Sequence, residues 1–162
     1  MTSTPQDPDP ATTRPRDPAT AVPPPPGRLL AIDYGRVRVG LASCDELGIT
    51  TRPLGFVRRE SDVQVATIVA EVAKKERVVA LVIGLPVHAN GQAGANVRWV
   101  RDFVRLLAAR CPLPVHEVDE RYSSGEAEQA LRDEGRWPPK DKGDIDAKSA
   151  AILLRRYLDG ER

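Results

Sequence analysis

Cysteine is scarce in this 162-residue chain. Only Cys44 and Cys111 occur, with no short spacing between them, which argues against a disulfide framework and against a cysteine-based zinc site. Long hydrophobic runs are also missing. No stretch approaches the roughly 18 apolar residues of a membrane span, and Met1 is not followed by the basic-then-apolar pattern of a secretory leader. The expected location is therefore the cytoplasm. Neither sign of charge dominates: 24 Lys plus Arg stand against 23 Asp plus Glu, so bulk electrostatics alone does not reveal a polyanionic partner. The length suits one domain with a proper core and is too short for two.

Proline, by contrast, is concentrated. Nine of the 15 prolines fall in residues 1–27, among Thr, Asp and Arg, and close in the run Pro23 to Pro26. Such a segment buries too little apolar surface to offset the entropy of ordering it. A disordered or polyproline tail is expected there, an appendage before it is a ligand for a proline-binding module. The folded domain is expected over residues 28–162.

Leu29-Leu30-Ala31-Ile32-Asp33-Tyr34-Gly35 organises the rest. Four apolar residues between Pro-rich sequence and Gly read as a buried strand that delivers one carboxylate to its end. Arg36 to Cys44 reads as a second strand, antiparallel to the first across a short turn, with Val37, Val39 and Leu41 on one face and Arg38, Gly40 and Ala42 on the other. Thr51 to Arg58 reads as a third, and Pro53 suits it to a sheet edge. The period then changes. Val65, Ile68, Val69 and Val72 predict a helix over Ser61 to Lys75 capped by Ser61, and Val78 to Leu85 is an unbroken apolar run typical of a central parallel strand. A helix over Ala93 to Arg110, a strand over Pro114 to Val118, and helices over Ser123 to Gly135 and Asp144 to Leu158 complete the chain. This order calls for an α/β domain with a five-stranded mixed sheet, strands one, four and five parallel and strand two antiparallel, and helices on both faces.

In such sheets ligand chemistry collects at the carboxyl ends of the parallel strands. Asp33 ends the first strand and Asp119-Glu120 the fifth, so these acids are expected to meet. Asp146 shares a helix face with Ala150, Leu153 and Tyr157, which draws it toward the sheet, whereas Asp144 is placed to cap the helix. Three carboxylates at one edge repel one another unless a cation lies between them, and an all-oxygen set suits Mg²⁺ or Mn²⁺. Two such ions activate a water and stabilise the leaving oxygen in phosphodiester hydrolysis. Each acid also has a structural reading: Asp119 paired with Arg121, Asp146 as a second cap, Asp33 as a brace for the turn.

Taken together, Ile32-Asp33-Tyr34-Gly35 with Arg38-Val39-Gly40, Gly84-Leu85-Pro86 with Asn90-Gly91, Asp119-Glu120-Arg121, and Ile145-Asp146 with Ala150-Ala151 resemble the YqgF, or RuvX, family of RuvC-like proteins with the ribonuclease H fold. The resemblance spans Arg28 to Gly160. It implies a divalent-metal-dependent nuclease that matures small-subunit ribosomal RNA precursor or resolves Holliday junctions. By position Asp33, Glu120 and Asp146 match the family's acidic set, the expected catalytic residues and metal ligands, with Asp119 a further acid and Arg121 in the same motif. The sequence departs from the family at Asn90, where Asp is common, at Ser123-Ser124, where Thr stands, and at Arg36-Val37 in place of Thr-Lys.

Substrate contacts are expected from Arg121, Lys142, Arg38, Asn90, Arg98 and Trp137. Arg98, Arg101 and Arg105 line one side of a helix, which reads as a solvated face or as a phosphate track interrupted by Asp102. The loop Arg136 to Gly143, with Trp137 and Lys142, either clamps a strand and stacks a base or is a polar linker with a docked Trp. His88 and Asn90 lie on the chemical edge, and His116, inside a strand, reads as a packed histidine. Two other functions fit less of the pattern: an RNA-binding factor without catalysis, and a nucleotide-binding phosphotransferase, which needs a second domain. The assembly is expected to be a monomer or a homodimer.

Overall fold

The computed structural model describes residues 23–86, 94–120 and 123–161. Most of the expected tail and the loop bearing His88 and Asn90 lie outside the described residues, as does Arg121.

Five strands, β1 (Leu29–Tyr34), β2 (Arg38–Cys44), β3 (Thr51–Arg58), β4 (Ala80–Leu85) and β5 (Val115–Asp119), form one sheet in the order β3-β2-β1-β4-β5. β1 pairs antiparallel with β2 and parallel with β4, and β4 is parallel to β5. β3, with Pro53, is an edge strand. β2 starts two residues later than its pattern suggests: Gly35 N–H donates to Arg38 O at 3.1 Å, and this turn takes Arg36 and Val37 out of the ladder.

Strand alternation sorts the core into two layers. Leu30, Ile32, Tyr34, Val39, Leu41, Leu81 and Ile83 pack under α1 (Asp62–Glu76) and α2 (Ala95–Ala108). Leu29, Ala31, Ala42, Val82 and Val118 pack under α4 (Gly143–Leu158), which carries Ala150, Leu153, Leu154 and Tyr157. The last helix before it, α3, spans Ser123–Asp133. β4, covered on both faces, is buried throughout. His116 lies against Tyr157, ring centroids 5.3 Å apart, as a packed histidine would.

Ser61 caps α1 as expected, its side chain accepting from Gln64 N at 3.1 Å. The start of α4 differs. Its N-cap is Lys142, which makes no side-chain cap bond, and Asp141, not Asp144, supplies the local carboxylate by accepting from Gly143 N at 2.8 Å. Periodicity placed the helix one residue late, and the acid before Gly143 took the turn that Asp144 was expected to fill.

Two glycines bring α4 down onto the sheet. A Cβ on Gly40 would lie 2.0 Å from the backbone oxygen of Asp146, and one on Gly143 would lie 2.0 Å from the Phe56 ring. Because Gly40 pairs with Asp33 on one side and with Phe56 on the other, the first turn of α4 rests beside the end of β1.

Candidate active site

Asp33 points to the α4 face, since its ladder partner Gly40 meets Asp146 there and the next residue, Tyr34, faces the other layer. Glu120 follows β5 directly, its N–H donating to Leu85 O at 3.2 Å. Its side chain lies over Gly84, where a Cβ would come within 2.6 Å of Glu120 Oε2. β1 and β5 flank β4 in parallel, and Gly84 of β4, without a side chain, leaves the space between their ends in which the two acids reach one rim. There the two carboxyls interact, and Glu120 favours the protonated form of Asp33.

The electrostatics follow from burial without a counter-ion. Desolvation, then the charges of Glu120 and Asp146, push the Asp33 carboxyl up to about 7. Desolvation, then the charge of Asp119, pushes Glu120 up to about 7 as well. Glu120 Oε2 is buried and finds no hydrogen-bond partner among the described residues. A carboxylate oxygen so placed is costly in a static core and is the donor that a hard cation takes.

The third acid stands slightly apart. Asp146 acts electrostatically on Asp33, but its Oδ2 accepts from Arg38 Nε at 2.6 Å, both side chains being about a quarter exposed. Among the described residues no three acidic, histidine or cysteine side chains lie close enough together to form a finished metal-binding group. Two carboxyls meet, and the third, held by a guanidinium, acts on Asp33 through its charge.

The other predicted residues are dispersed. Asp119 ends β5, opposite Leu85 in the ladder. Lys142 is exposed at the start of α4. Arg98 is exposed on α2, Arg101 pairs with Glu117 at 3.1 Å, and Arg105 pairs with Asp102 at 2.7 Å. Two of the three members of that stripe are therefore neutralised. Trp137 is half-buried, with the Arg132 guanidinium 4.0 Å from its ring centroid, so one face of the ring is already covered.

Sequence reasoning missed a second constellation on the same rim, on the α1/α2 face. Tyr34 stacks on Phe103 with centroids 4.1 Å apart and meets Trp99 at 4.5 Å. The guanidinium carbons of Arg36 and Arg59 lie 4.7 and 5.1 Å from the Trp99 centroid. Asp62 accepts from the Tyr34 hydroxyl and from Arg59 Nε and Nη2. An early signal was Arg59 three residues before Asp62, beside an aromatic at the start of α2.

A sheet in this order, with acids at the carboxyl ends of its parallel strands, defines a RuvC-like, ribonuclease H-type domain. Thermus thermophilus RuvC in complex with Holliday junction substrate aligns with a TM-score of 0.53 at 19% identity, covering 83% of this chain and 96% of that one. The yeast mitochondrial Holliday junction resolvase gives the same TM-score at 10% identity, with 87% and 81% covered. At such identities the likeness establishes the fold.

The family described as RuvX, Holliday junction resolvase, matches residues 27–160, and the chain belongs to that family. A relative from Synechococcus elongatus is 45% identical over 134 residues, 82% of this chain and 89% of the relative; one from Anaeromyxobacter sp. strain K is 40% identical over 132 residues, 82% and 96%. Both carry the name of a candidate pre-16S rRNA nuclease. These descriptions are all of phosphodiester hydrolases, the enzyme class to which this chain belongs. No described helix is long and apolar enough to cross a membrane.

Proposed function

We propose that this enzyme hydrolyses phosphodiester bonds of a structured nucleic acid at the rim shared by Asp33, Glu120 and Asp146. The substrate favoured by its 40–45% identical relatives is the precursor of small-subunit ribosomal RNA. The observation that carries the reading is the meeting of the Asp33 and Glu120 carboxyls at the ends of the two parallel strands that flank β4, with one oxygen of Glu120 buried and without a hydrogen-bond partner among the described residues.

That donor set fits Mg²⁺ or Mn²⁺, which Asp33, Glu120 and Asp146 would hold, in a one- or two-ion site. Bound there, such ions supply an activated water and charge stabilisation of the leaving oxygen. The chain's own groups do the rest. Burial pushes Asp33 and Glu120 up to about 7, so the metal-free pair reaches full charge only above neutral pH, and a bound cation would draw both into the charged form. Arg38 pairs with Asp146 and, once released from it, lies at the rim to meet a phosphate oxygen, with Lys142 one helical turn away. Asp119, at the end of β5, adds negative charge that works against ionisation of Glu120 and that a bound cation would offset. Arg121 and Asn90 are assigned to substrate from the sequence pattern alone, and Trp137 with Arg132 braces the loop before α4. The enzyme is assigned to the cytoplasm, where the buried free thiols of Cys44 and Cys111 stay reduced.

The test is a cleavage panel with the full chain: precursor ribosomal RNA, single-stranded RNA and a four-way DNA junction, each with Mg²⁺, Mn²⁺ or chelator. Metal-dependent cutting of the precursor supports the proposal in full. Symmetric paired cuts in the junction alone would transfer the substrate to branched DNA and require a dimer. No cutting of any substrate by wild type, or equal cutting by Asp33→Asn, would overturn it.

A further inference from the structure

We infer that Arg36 and Arg59, laid on Trp99, form a second phosphate-binding site that grips the nucleic-acid backbone beside the cleavage rim. The inference takes its ligand from the nuclease reading above and deepens it. It rests on the cationic and aromatic constellation of the α1/α2 face, which the carboxylate chemistry does not use.

Packing alone does not account for this arrangement. Tyr34 and Phe103 already close the core, 3% and 1% exposed, and an apolar residue would cover Trp99 more cheaply than two cations. Instead two guanidiniums share one ring, and like charges held this close repel. Only one of them has a carboxylate: Asp62 takes Arg59 at 2.6 Å. Arg36 is exposed, and among the described residues it makes no ion pair; its Nη2 donates to the neutral amide of Asn96 at 2.7 Å. The cluster therefore carries an uncompensated positive charge, fixed in place rather than left on a free side chain.

The fixing is thorough. Arg59 donates to Asp62 and, through Nη1, to the backbone oxygen of Arg36 at 3.2 Å, while lying over both Tyr34 and Trp99. Stacked on the ring, Arg36 keeps in-plane N–H groups beyond the one given to Asn96, and these match a phosphate, while Arg59, its Nε and Nη2 taken by Asp62, holds the Arg36 backbone in place. Preorganised donors cost little ordering entropy when a ligand arrives. The start of α2 adds its positive end: Gly94 caps it without a side-chain bond, and its first turn holds no acid.

Position supplies the ligand. Arg36 follows Asp33 by three residues, at most about 10 Å of extended chain. The β1–β2 hairpin sends Arg38 to the carboxylate face and Arg36 to the aromatic face. A strand whose scissile phosphate lies at Asp33 thus passes its neighbouring phosphates over Arg36 and Arg59.

The experiment measures binding of fluorescein-labelled single-stranded RNA and DNA by anisotropy across a salt series, in chelator so that nothing is cut. Arg36→Ala is expected to weaken binding roughly three- to tenfold and to lower the slope of log K against log salt by about one. Arg36→Glu weakens it further. Arg110→Ala, which removes the same charge from the far end of α2, sets the baseline. Equal losses on RNA and DNA identify the phosphate backbone as the ligand, and a loss on one alone names the strand gripped. Arg36 variants indistinguishable from Arg110→Ala in affinity and slope would overturn the inference. Because binding is read without metal, these results stand apart from the cleavage panel: a wild type that never cuts yet loses affinity with Arg36→Ala would sink the nuclease reading and leave the phosphate site standing.

Discussion

Arg38 donates from Nε to Asp146 Oδ2 at 2.6 Å across 108 positions of chain, joining the first hairpin to the last helix at the edge of the carboxylate rim. The guanidinium takes the oxygen that a divalent cation would need. It balances the charge of Asp146, which otherwise adds to the field acting on Asp33.

Arg38→Gln should separate these effects. Without the guanidinium the rim is more negative and Asp146 is free, so Mn²⁺ affinity should rise, roughly three- to tenfold. Apo stability should fall by about 1 kcal/mol, the upper range for a partly exposed pair. Calorimetric titration with Mn²⁺ and chemical denaturation check the two parts; unchanged metal affinity would show that Arg38 does not compete for Asp146.

Glycine substitutions test how α4 is seated. Gly40→Ala places a methyl 2.0 Å from the Asp146 backbone oxygen, and overpacking of this kind should cost roughly 3 kcal/mol or more. Gly84→Ala meets mainly the Glu120 side chain, so it should displace that carboxylate and cost more in turnover than in stability. Gly125→Ala, in α3 with nothing within 4 Å of the added carbon, should stabilise by about 0.5 kcal/mol. Urea denaturation ranks the three, and a harmless Gly40→Ala would refute the close seating of α4.

The acid pair makes stability depend on pH in a direction opposite to the usual carboxylate. Folded Asp33 and Glu120 keep their protons to about pH 7, while the unfolded chain loses them near 4. Between those limits the folded state binds more protons, so stability contributed by these groups is complete at acid pH and is lost as pH rises through 7. In chelator, Asp33→Asn should match wild type near pH 4.5 and exceed it at pH 8 by on the order of 1–3 kcal/mol. Thermal melts at both pH values decide, and a gap that does not grow with pH would show that the pair is not buried together.

Much of this was legible in the chain because the signals were redundant. The apolar runs at Leu29 and Val78, the alternation of Val39, Leu41 and Ala42, and the helical spacing of Val65 and Val69 each fixed an element independently. Asp33 and Glu120 could be placed because parallel strands of one sheet end on the same edge. Local turns were less readable: Asp141 rather than Asp144 meets the start of α4, and the turn at Gly35 removed Arg36 from its strand. Side-chain partners across long separations were not readable at all. Arg38 on Asp146, and Arg36 with Arg59 on Trp99, depend on which neighbour a flexible cation finds once the backbone is in place.

Direct measurement of divalent-ion binding tests the central claim most sharply. Mn²⁺ titration of the metal-free chain, followed by calorimetry or by the loss of free-ion paramagnetic signal, should give saturable binding in wild type and at least tenfold weaker binding in Asp33→Asn, Glu120→Gln and Asp146→Asn, all three remaining folded. Variants that bind Mn²⁺ as wild type does would contradict the assignment of these three carboxylates to a single ion-binding rim.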